Sequence, residues 1–213
     1  MNLQSRFWVL IFFFISGATG LVYEVVWTRL LTRVMGNTHY SIATVLTIFM
    51  AGVALGSYLG GRWVDRRKNP LFFYAVLEAA IGLYCLLVPS LIESASPLFE
   101  WVYQTQTESY SKASLYRFFI CGVILLIPTS LMGATLPVLS KYVSNNRMFV
   151  GRDVGTLYSL NTFGAVFGAL SSAFIFMRVW GVLATIWFAA ALNIGIAVTI
   201  YLFFRSDVTA TSK

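Results

Sequence analysis

Residues 49–70 read FMAGVALGSYLGGRWVDRRKNP, an apolar run that ends abruptly in a block of charge. Within the run, Gly52, Gly56 and Gly60 recur every four residues, which places them on one face of a helix. Small residues on one face let two helix backbones approach closely, and such packing holds helices together in lipid. The stretch therefore predicts a transmembrane helix that packs through its glycine face and ends at the charged loop.

Apolar runs separated by short charged breaks continue along the whole chain. The 213 residues are 58% hydrophobic and 11% charged, with a mean hydropathy of +0.77, whereas a soluble domain carries about a quarter charged residues. We predict an all-α membrane protein with one six-helix transmembrane domain over 1–205 and a tail over 206–213. The first apolar run is long enough to be a retained helix rather than a cleaved signal sequence. The predicted spans are 7–34, 39–62, 71–93, 115–142, 152–178 and 182–204.

The basic residues predict the orientation of these spans. One alternating topology places ten of the 15 Lys and Arg residues on one side, at the two termini and in the loops after spans two and four. By the positive-inside rule both termini are then cytoplasmic, in a multi-pass protein of a bacterial inner (plasma) membrane. The net charge of +7 is explained by this topology, so we expect no nucleic-acid partner.

Two small-residue patterns recur in both halves of the chain. They are Gly17-Ala18-Thr19 with Gly133-Ala134-Thr135, and the pair Gly52 and Gly56 with Gly164 and Gly168. The offsets are 116 and 112 residues, so the order is kept across three helices. Since three is odd, the second set runs through the membrane in the opposite sense, which predicts a 3+3 inverted repeat. Chance repetition is the alternative, because Gly and Ala are common in such helices.

Two carboxyl side chains fall inside predicted spans, Glu24 in the first and Glu78 in the third. A carboxylate in lipid is costly, so it usually faces a cavity or a partner. Tyr23 and Trp27 adjoin Glu24 on the same helix. Because aromatic rings beside a carboxylate suit an organic cation, these residues are candidates for a substrate site.

The fifth span adds Tyr158 and Asn161 to the candidate substrate site. A buried amide needs several hydrogen-bond partners, although hydrogen bonding between helices is an equally ordinary role. For the two glutamates, the alternative is structural pairing inside the bundle. Candidate ion-pair partners of Glu24 are Arg29, Arg117 and Arg178.

The chain offers little for catalysis. Cys85 and Cys121 fall within apolar runs, and His39 lies at a helix boundary. No nucleophile–base set and no cluster of metal ligands is evident. We expect no metal, no cofactor and no enzymatic activity.

The charged loop resembles a signature of the major facilitator superfamily. Gly61 is followed four residues later by Asp65-Arg66 and then by Arg67, as in the loop between helices 2 and 3 of that superfamily. The second glycine usual in that signature is missing. The resemblance implies that Asp65 accepts hydrogen bonds from a helix N-terminus and that Arg66 braces a cytoplasmic gate.

A second resemblance covers most of the chain. Four stretches resemble the membrane region of spermidine-synthase-like membrane proteins: SGATGLVYEVVWTRLL (16–31), FMAGVALGSYLGGRWVDR (49–66), PTSLMGATLPVLSKYV (128–143) and VGTLYSLNTFGAVFGAL (154–170). In that family, such helices often precede a cytoplasmic aminopropyltransferase-type Rossmann domain. The Gly-rich nucleotide loop of such a domain is absent from this sequence.

Together these features predict half of a major-facilitator-like transporter. Six helices do not enclose a central cavity, so we expect a homodimer about an axis along the membrane normal. The resemblance implies a polyamine or similar organic cation as substrate. The alternative is a non-transporting membrane anchor or partner subunit of a separate spermidine-synthase-like enzyme.

Overall fold

The computed structural model describes residues 3–36, 38–66, 69–105, 110–144 and 150–203. Regular helices account for nearly all of these residues, and a π-helical segment (Ser172–Phe176) joins α6 to α7. The helices are α1 (Leu3–Met35), α2 (Thr38–Val64), α3 (Pro70–Ser94), α4 (Ser96–Thr105), α5 (Tyr110–Val143), α6 (Val150–Ser171), α7 (Met177–Val179) and α8 (Gly181–Phe203).

Six stretches of helix are long and apolar enough to cross a membrane, which confirms the predicted all-α class with six spans. They are Arg6–Met35, His39–Val64, Pro70–Ser94, Lys112–Val143, Val150–Val179 and Gly181–Phe203. Their ends fall within three residues of the predicted ones. The predicted tail, 206–213, lies outside the described residues.

The helix ends follow from local chemistry. Gly36 ends α1 and Gly181 separates α7 from α8, and both have positive φ angles (67° and 79°) that glycine adopts without strain. Pro70 occupies the first turn of α3, where its missing N–H costs nothing. We call the end of the bundle near Gly36 and Gly181 the Gly181 end, and the opposite end the Asp65 end.

The predicted long loop over 94–114 contains α4. Phe99 of this helix is buried in the core and Trp101 is exposed. Ser96–Thr105 of this loop therefore form a short amphipathic helix that packs against α5 and α3.

Three helix pairs form the framework of the bundle: α1 packs on α6, α2 on α5 and α3 on α8. In the first two pairs, glycines lie directly against the facing backbone, so that an added Cβ would overlap it. Six such pairs are Gly56–Ser130, Gly60–Ala134, Gly133–Val53, Gly164–Phe14, Gly168–Ala18 and Gly17–Asn161. Close backbone approach through small residues is the packing expected in lipid.

The predicted packing glycines all lie inside the bundle. Gly52 contacts Thr129 of α5, and the other four, Gly56, Gly60, Gly164 and Gly168, belong to the pairs above. Their faces are therefore occupied within one chain and are not free to join two copies. The least buried of the six spans are α2 and the span built from α6 and α7.

Candidate functional site

Glu24 lies well inside the first span, and its side chain is half-buried. Gly17 and Gly20 share its face of α1, because they precede it by seven and four residues. Gly17 packs on Asn161 of α6, and Gly20 faces the Met132 sulfur of α5. Helical geometry thus places Glu24 along the seam where α1 meets α5 and α6.

Within the described ranges, Glu24 forms no salt bridge and its carboxyl group accepts no side-chain hydrogen bond. The predicted arginine partners lie elsewhere. Arg29 is five residues later, which is about 140° around the helix. Arg117 is buried and donates from Nη1 to the carbonyl oxygen of Met35 (3.2 Å), and Arg178 lines a separate groove with Arg29. The ion-pair interpretation of Glu24 is therefore wrong for this arrangement of helices.

Tyr23 and Trp27 are fully buried and stack on each other, with ring centroids 5.6 Å apart. The Tyr23 hydroxyl donates to Oδ1 of Asn193 (2.9 Å), whereas Nε1 of Trp27 is buried without a hydrogen-bond partner. Both rings belong to the core, where α3 and α8 enclose them. The structure thus buries both rings in the core, and their part in a substrate site stays a prediction.

Glu78 lies in a sealed polar cluster that joins α1, α3 and α8. Its side chain is fully buried, with Ser16 Oγ donating to Oε1 (2.6 Å) and Asn193 Nδ2 donating to Oε2 (2.5 Å). Tyr74, one helical turn earlier, is also fully buried, and its ring packs edge-on against Phe13. Hydrogen bonds rather than a cation therefore satisfy Glu78, and the cluster favours the structural interpretation over substrate binding.

The two candidates in α6 differ in exposure, although they are only three residues apart. Tyr158 is 62% exposed on the outer surface of the bundle. Asn161 points toward α1, where its Nδ2 donates to the carbonyl oxygen of Phe13 (3.1 Å). Asn161 thus bonds two helices together beside the Glu24 seam, whereas the Tyr158 side chain is directed to the surface of the bundle.

The charged loop at the Asp65 end is tied to α5. Lys141 Nζ donates to the last carbonyl of α2 (2.5 Å) and to the carbonyl oxygen of Asp65 (3.1 Å). The side chains of Asp65 and Arg66 are exposed, and Arg67 lies outside the described residues. Gly61 faces α5 at an ordinary contact distance, since a Cβ added to it would lie 3.9 Å from Pro137. The helix N-terminus that the resemblance assigns to Asp65 is not among its described contacts.

Three residues of these networks were missed from the sequence. Asn193 carries the only amide of the last span, which is the signal that could have identified it. Ser16 gave no signal beyond a hydroxyl in an apolar run. Asp153 is buried and accepts a hydrogen bond from Nη2 of Arg6 (2.5 Å). The sequence could have indicated this pair, because Asp153 is an acidic residue in the fifth span on the same predicted side of the membrane as Arg6.

The cysteines and the histidine add no second site. Cys85 and Cys121 are free and buried, and His39 is exposed. In the described part of the chain, no group of three or more His, Cys, Asp or Glu side chains is placed to hold a metal ion.

Comparison with curated proteins finds three polyamine aminopropyltransferases. The chain is 24% identical to polyamine aminopropyltransferase 1 of Streptomyces coelicolor over 94% of its length and 35% of the relative's. It is 26% identical to polyamine aminopropyltransferase 2 of the same organism over 98% of its length and 36% of the relative's. For the polyamine aminopropyltransferase of Oceanobacillus iheyensis, the identity is 18% over 89% of the chain and 34% of the relative.

The chain thus spans about a third of the length of these curated relatives. No family model matches it, and no solved structure matches it. The fold and the comparisons together define an all-helical protein with six helices able to cross a membrane and a distant similarity to polyamine aminopropyltransferases.

Proposed function

We propose that the chain is a half-size, major-facilitator-like membrane unit, and that two copies form a secondary transporter for a polyamine or similar organic cation. The observation that carries this proposal is Glu24, a half-buried carboxyl group inside a span with no ion-pair partner among the described residues. An ionisable side chain that lies within a span and has no partner there is typical of a cavity or an ion pathway. A carboxylate there would provide the counter-charge for a protonated amine.

The glycine contacts support an inverted repeat, the architecture of many secondary transporters. Ser130 lies 116 residues after Phe14, and Gly164 lies 108 residues after Gly56. The same two offsets convert the three α2–α5 pairs named above, Gly56–Ser130, Gly60–Ala134 and Gly133–Val53, into the three α1–α6 pairs. The contact of Gly52 with Thr129 has no glycine counterpart between α1 and α6. In the proposed repeat, Gly56 rather than Gly52 would be the counterpart of Gly164, so the offset between α2 and α6 would be 108 residues rather than the 112 predicted from the sequence.

The outer surface of α6 supports a second copy. Tyr158, Ser159 and Thr162 are exposed inside the fifth span, and the hydroxyl groups of Ser159 and Thr162 donate to carbonyl oxygens one turn earlier in α6. Such residues are typical of helix–helix contacts in membranes. A second copy about an axis along the membrane normal would cover this row of hydroxyl groups. The same contact would close the seam beside Glu24 into a shared compartment near the midplane.

The proposed setting is a bacterial inner membrane with both termini cytoplasmic. Arg62, Arg66 and Arg152 are exposed at the Asp65 end, which is then the cytoplasmic end. The names of the relatives provide the link to polyamines. On this proposal the chain itself performs transport and no chemistry.

The second candidate is a membrane partner or anchor for a separate aminopropyltransferase-type enzyme. The chain aligns along nearly its whole length with only a third of each relative, which favours a membrane module that works beside the remaining two thirds. The exposed arginines of the Asp65 end would then be docking surface.

Uptake of labelled spermidine by proteoliposomes tests the transporter. We expect the wild-type protein to accumulate spermidine and Glu24→Gln to reduce the initial rate at least about tenfold, because the counter-charge is lost while the side-chain volume is kept. The matched control is Glu93→Gln, an exposed glutamate at the end of α3, which should transport like the wild type.

Uptake by the wild type no greater than in empty liposomes, with a dimer confirmed by light scattering, would reject transport. In that case, co-purification with an aminopropyltransferase encoded by the same organism would support the partner subunit. Full uptake by Glu24→Gln would reject the assigned role of Glu24.

A further inference from the structure

A groove of about 950 Å³ opens at the Gly181 end between α1, the π-helical segment, α7 and α8. Three arginines line it: Arg29 and Arg33 from α1, and Arg178 from α7. A π-helical turn within a transmembrane helix is often retained at a functional site. Here it lies between the body of α6 and Arg178, at the wall of the groove.

The charge of the groove is uncompensated. No acidic residue is among those that line it, and none of the three guanidinium groups forms a salt bridge with the described residues. Three cations that converge on one groove repel one another unless an anion lies between them. The arrangement therefore favours an anionic ligand.

The start of α8 adds backbone donors to the same groove. Gly181, Val182 and Leu183 line it, and the first N–H groups of this 23-residue helix have no partner within the helix. The positive φ of Gly181 reverses the chain so that the helix starts at the groove. Backbone donors and the helix dipole favour a phosphate-type anion at such a position.

Most of the remaining wall is apolar, and the hydroxyl groups of Thr28 and Thr32, which also line it, donate to carbonyl oxygens within α1. Val25, Ala173 and Met177 contribute aliphatic surface, and Trp180 stacks on Phe176 at the rim. The groove is at the ends of the spans, where a bilayer places its phosphates and where tryptophan is enriched. Arginine is suited to phosphate because its planar fork donates two hydrogen bonds at once.

We infer that this groove binds the phosphate of an anionic phospholipid, whose acyl chains lie along the apolar walls. A free phosphate would satisfy the arginines alone, whereas a lipid satisfies both the charge and the apolar walls. The inference is independent of transport, because it depends on the groove arginines, none of which forms a salt bridge with Glu24.

Lipid retention tests the inference. The purified protein is incorporated into nanodiscs of phosphatidylcholine with or without phosphatidylglycerol, and bound lipid is counted by native mass spectrometry after detergent exchange. We expect phosphatidylglycerol to be retained and to raise the melting temperature. The triple variant Arg29→Gln, Arg33→Gln, Arg178→Gln should bind it about tenfold more weakly or worse.

The control variant Arg62→Gln, Arg66→Gln removes two exposed charges from the opposite end and should retain the lipid. If the triple variant melts early in pure phosphatidylcholine, the single variant Arg178→Gln replaces it. Equal retention of phosphatidylglycerol by the variant and the wild type would overturn the inference. So would equal stabilisation by millimolar inorganic phosphate without any preference for phosphatidylglycerol, because the ligand would then be a soluble anion.

Discussion

Replacing Gly56 by alanine tests the closest approach of α2 to α5. The added Cβ would overlap the carbonyl oxygen of Ser130 and would lie 2.6 Å from its carbonyl carbon and 2.8 Å from its Cα, where ordinary contact starts at 3.4 Å. Because all of these atoms are backbone, no rotamer change relieves the overlap, and the helices must separate by about 1 Å. Overpacking costs about 1–3 kcal/mol, and we expect the upper end of that range.

Thermal unfolding in detergent measures this cost. For a chain of this size, each kcal/mol shifts the melting temperature by about 2–4 °C, so Gly56→Ala should melt about 6–12 °C below the wild type. The control is Gly195→Ala, an exposed position in α8 with nothing within 4 Å of the added Cβ. It should be neutral or up to about 1 kcal/mol more stable, since alanine is the better helix former. Equal melting temperatures for the two variants would refute the packing argument.

The same substitution at Gly164 tests the proposed repeat. Its added Cβ would overlap the carbonyl oxygen of Phe14, the contact that the two offsets relate to Gly56 with Ser130. Gly164→Ala should therefore lower the melting temperature by a similar amount. If only one of Gly56→Ala and Gly164→Ala lowered the melting temperature, the two contacts would not be equivalent and the proposed repeat would lose its support.

Two further variants test the polar contacts. Asn193→Leu should lower the free energy of unfolding by about 2–3 kcal/mol, because it removes a hydrogen-bond donor to buried Glu78. Denaturant titration measures this change, and unchanged stability would mean that the cluster is not structural. Asp153→Asn should cost about 1 kcal/mol or less at low salt and less still at 1 M salt, since its partner Arg6 is 35% exposed. Arg152→Gln, whose Nε is 4.0 Å from the same carboxylate, should change stability less than Asp153→Asn, and a reversed order would contradict the assignment of Arg6 as the main partner.

The positions of the spans could be predicted because each break is local. Glycine with positive φ at Gly36 and Gly181 ends a helix wherever it lies in the fold, and Pro70 starts one for a reason within its own turn. Hydropathy then decides which runs are long enough to span a bilayer. None of these steps requires knowledge of neighbouring helices.

The contacts between helices could not be predicted in the same way. Tyr23 and Trp27 adjoin Glu24 in sequence, yet α3 and α8 pack on the side of α1 that carries the two rings, so the rings are enclosed and the carboxyl group is not. Glu78 is satisfied by Asn193, 115 residues away, and hydropathy does not encode that pairing. The sequence shows which side chains are costly in lipid, but only the packing shows which of them are satisfied.

The distribution of charge around α1 limits the route that a cation could take. Arg29 and Arg33 face the groove at the Gly181 end, while Glu24 faces the seam with α5 and α6. A protonated amine that approached through the groove would meet three guanidinium groups before reaching any carboxyl group, and like charges would repel it. An organic cation that binds Glu24 must therefore enter along the seam, which is the surface that the proposed second copy would enclose.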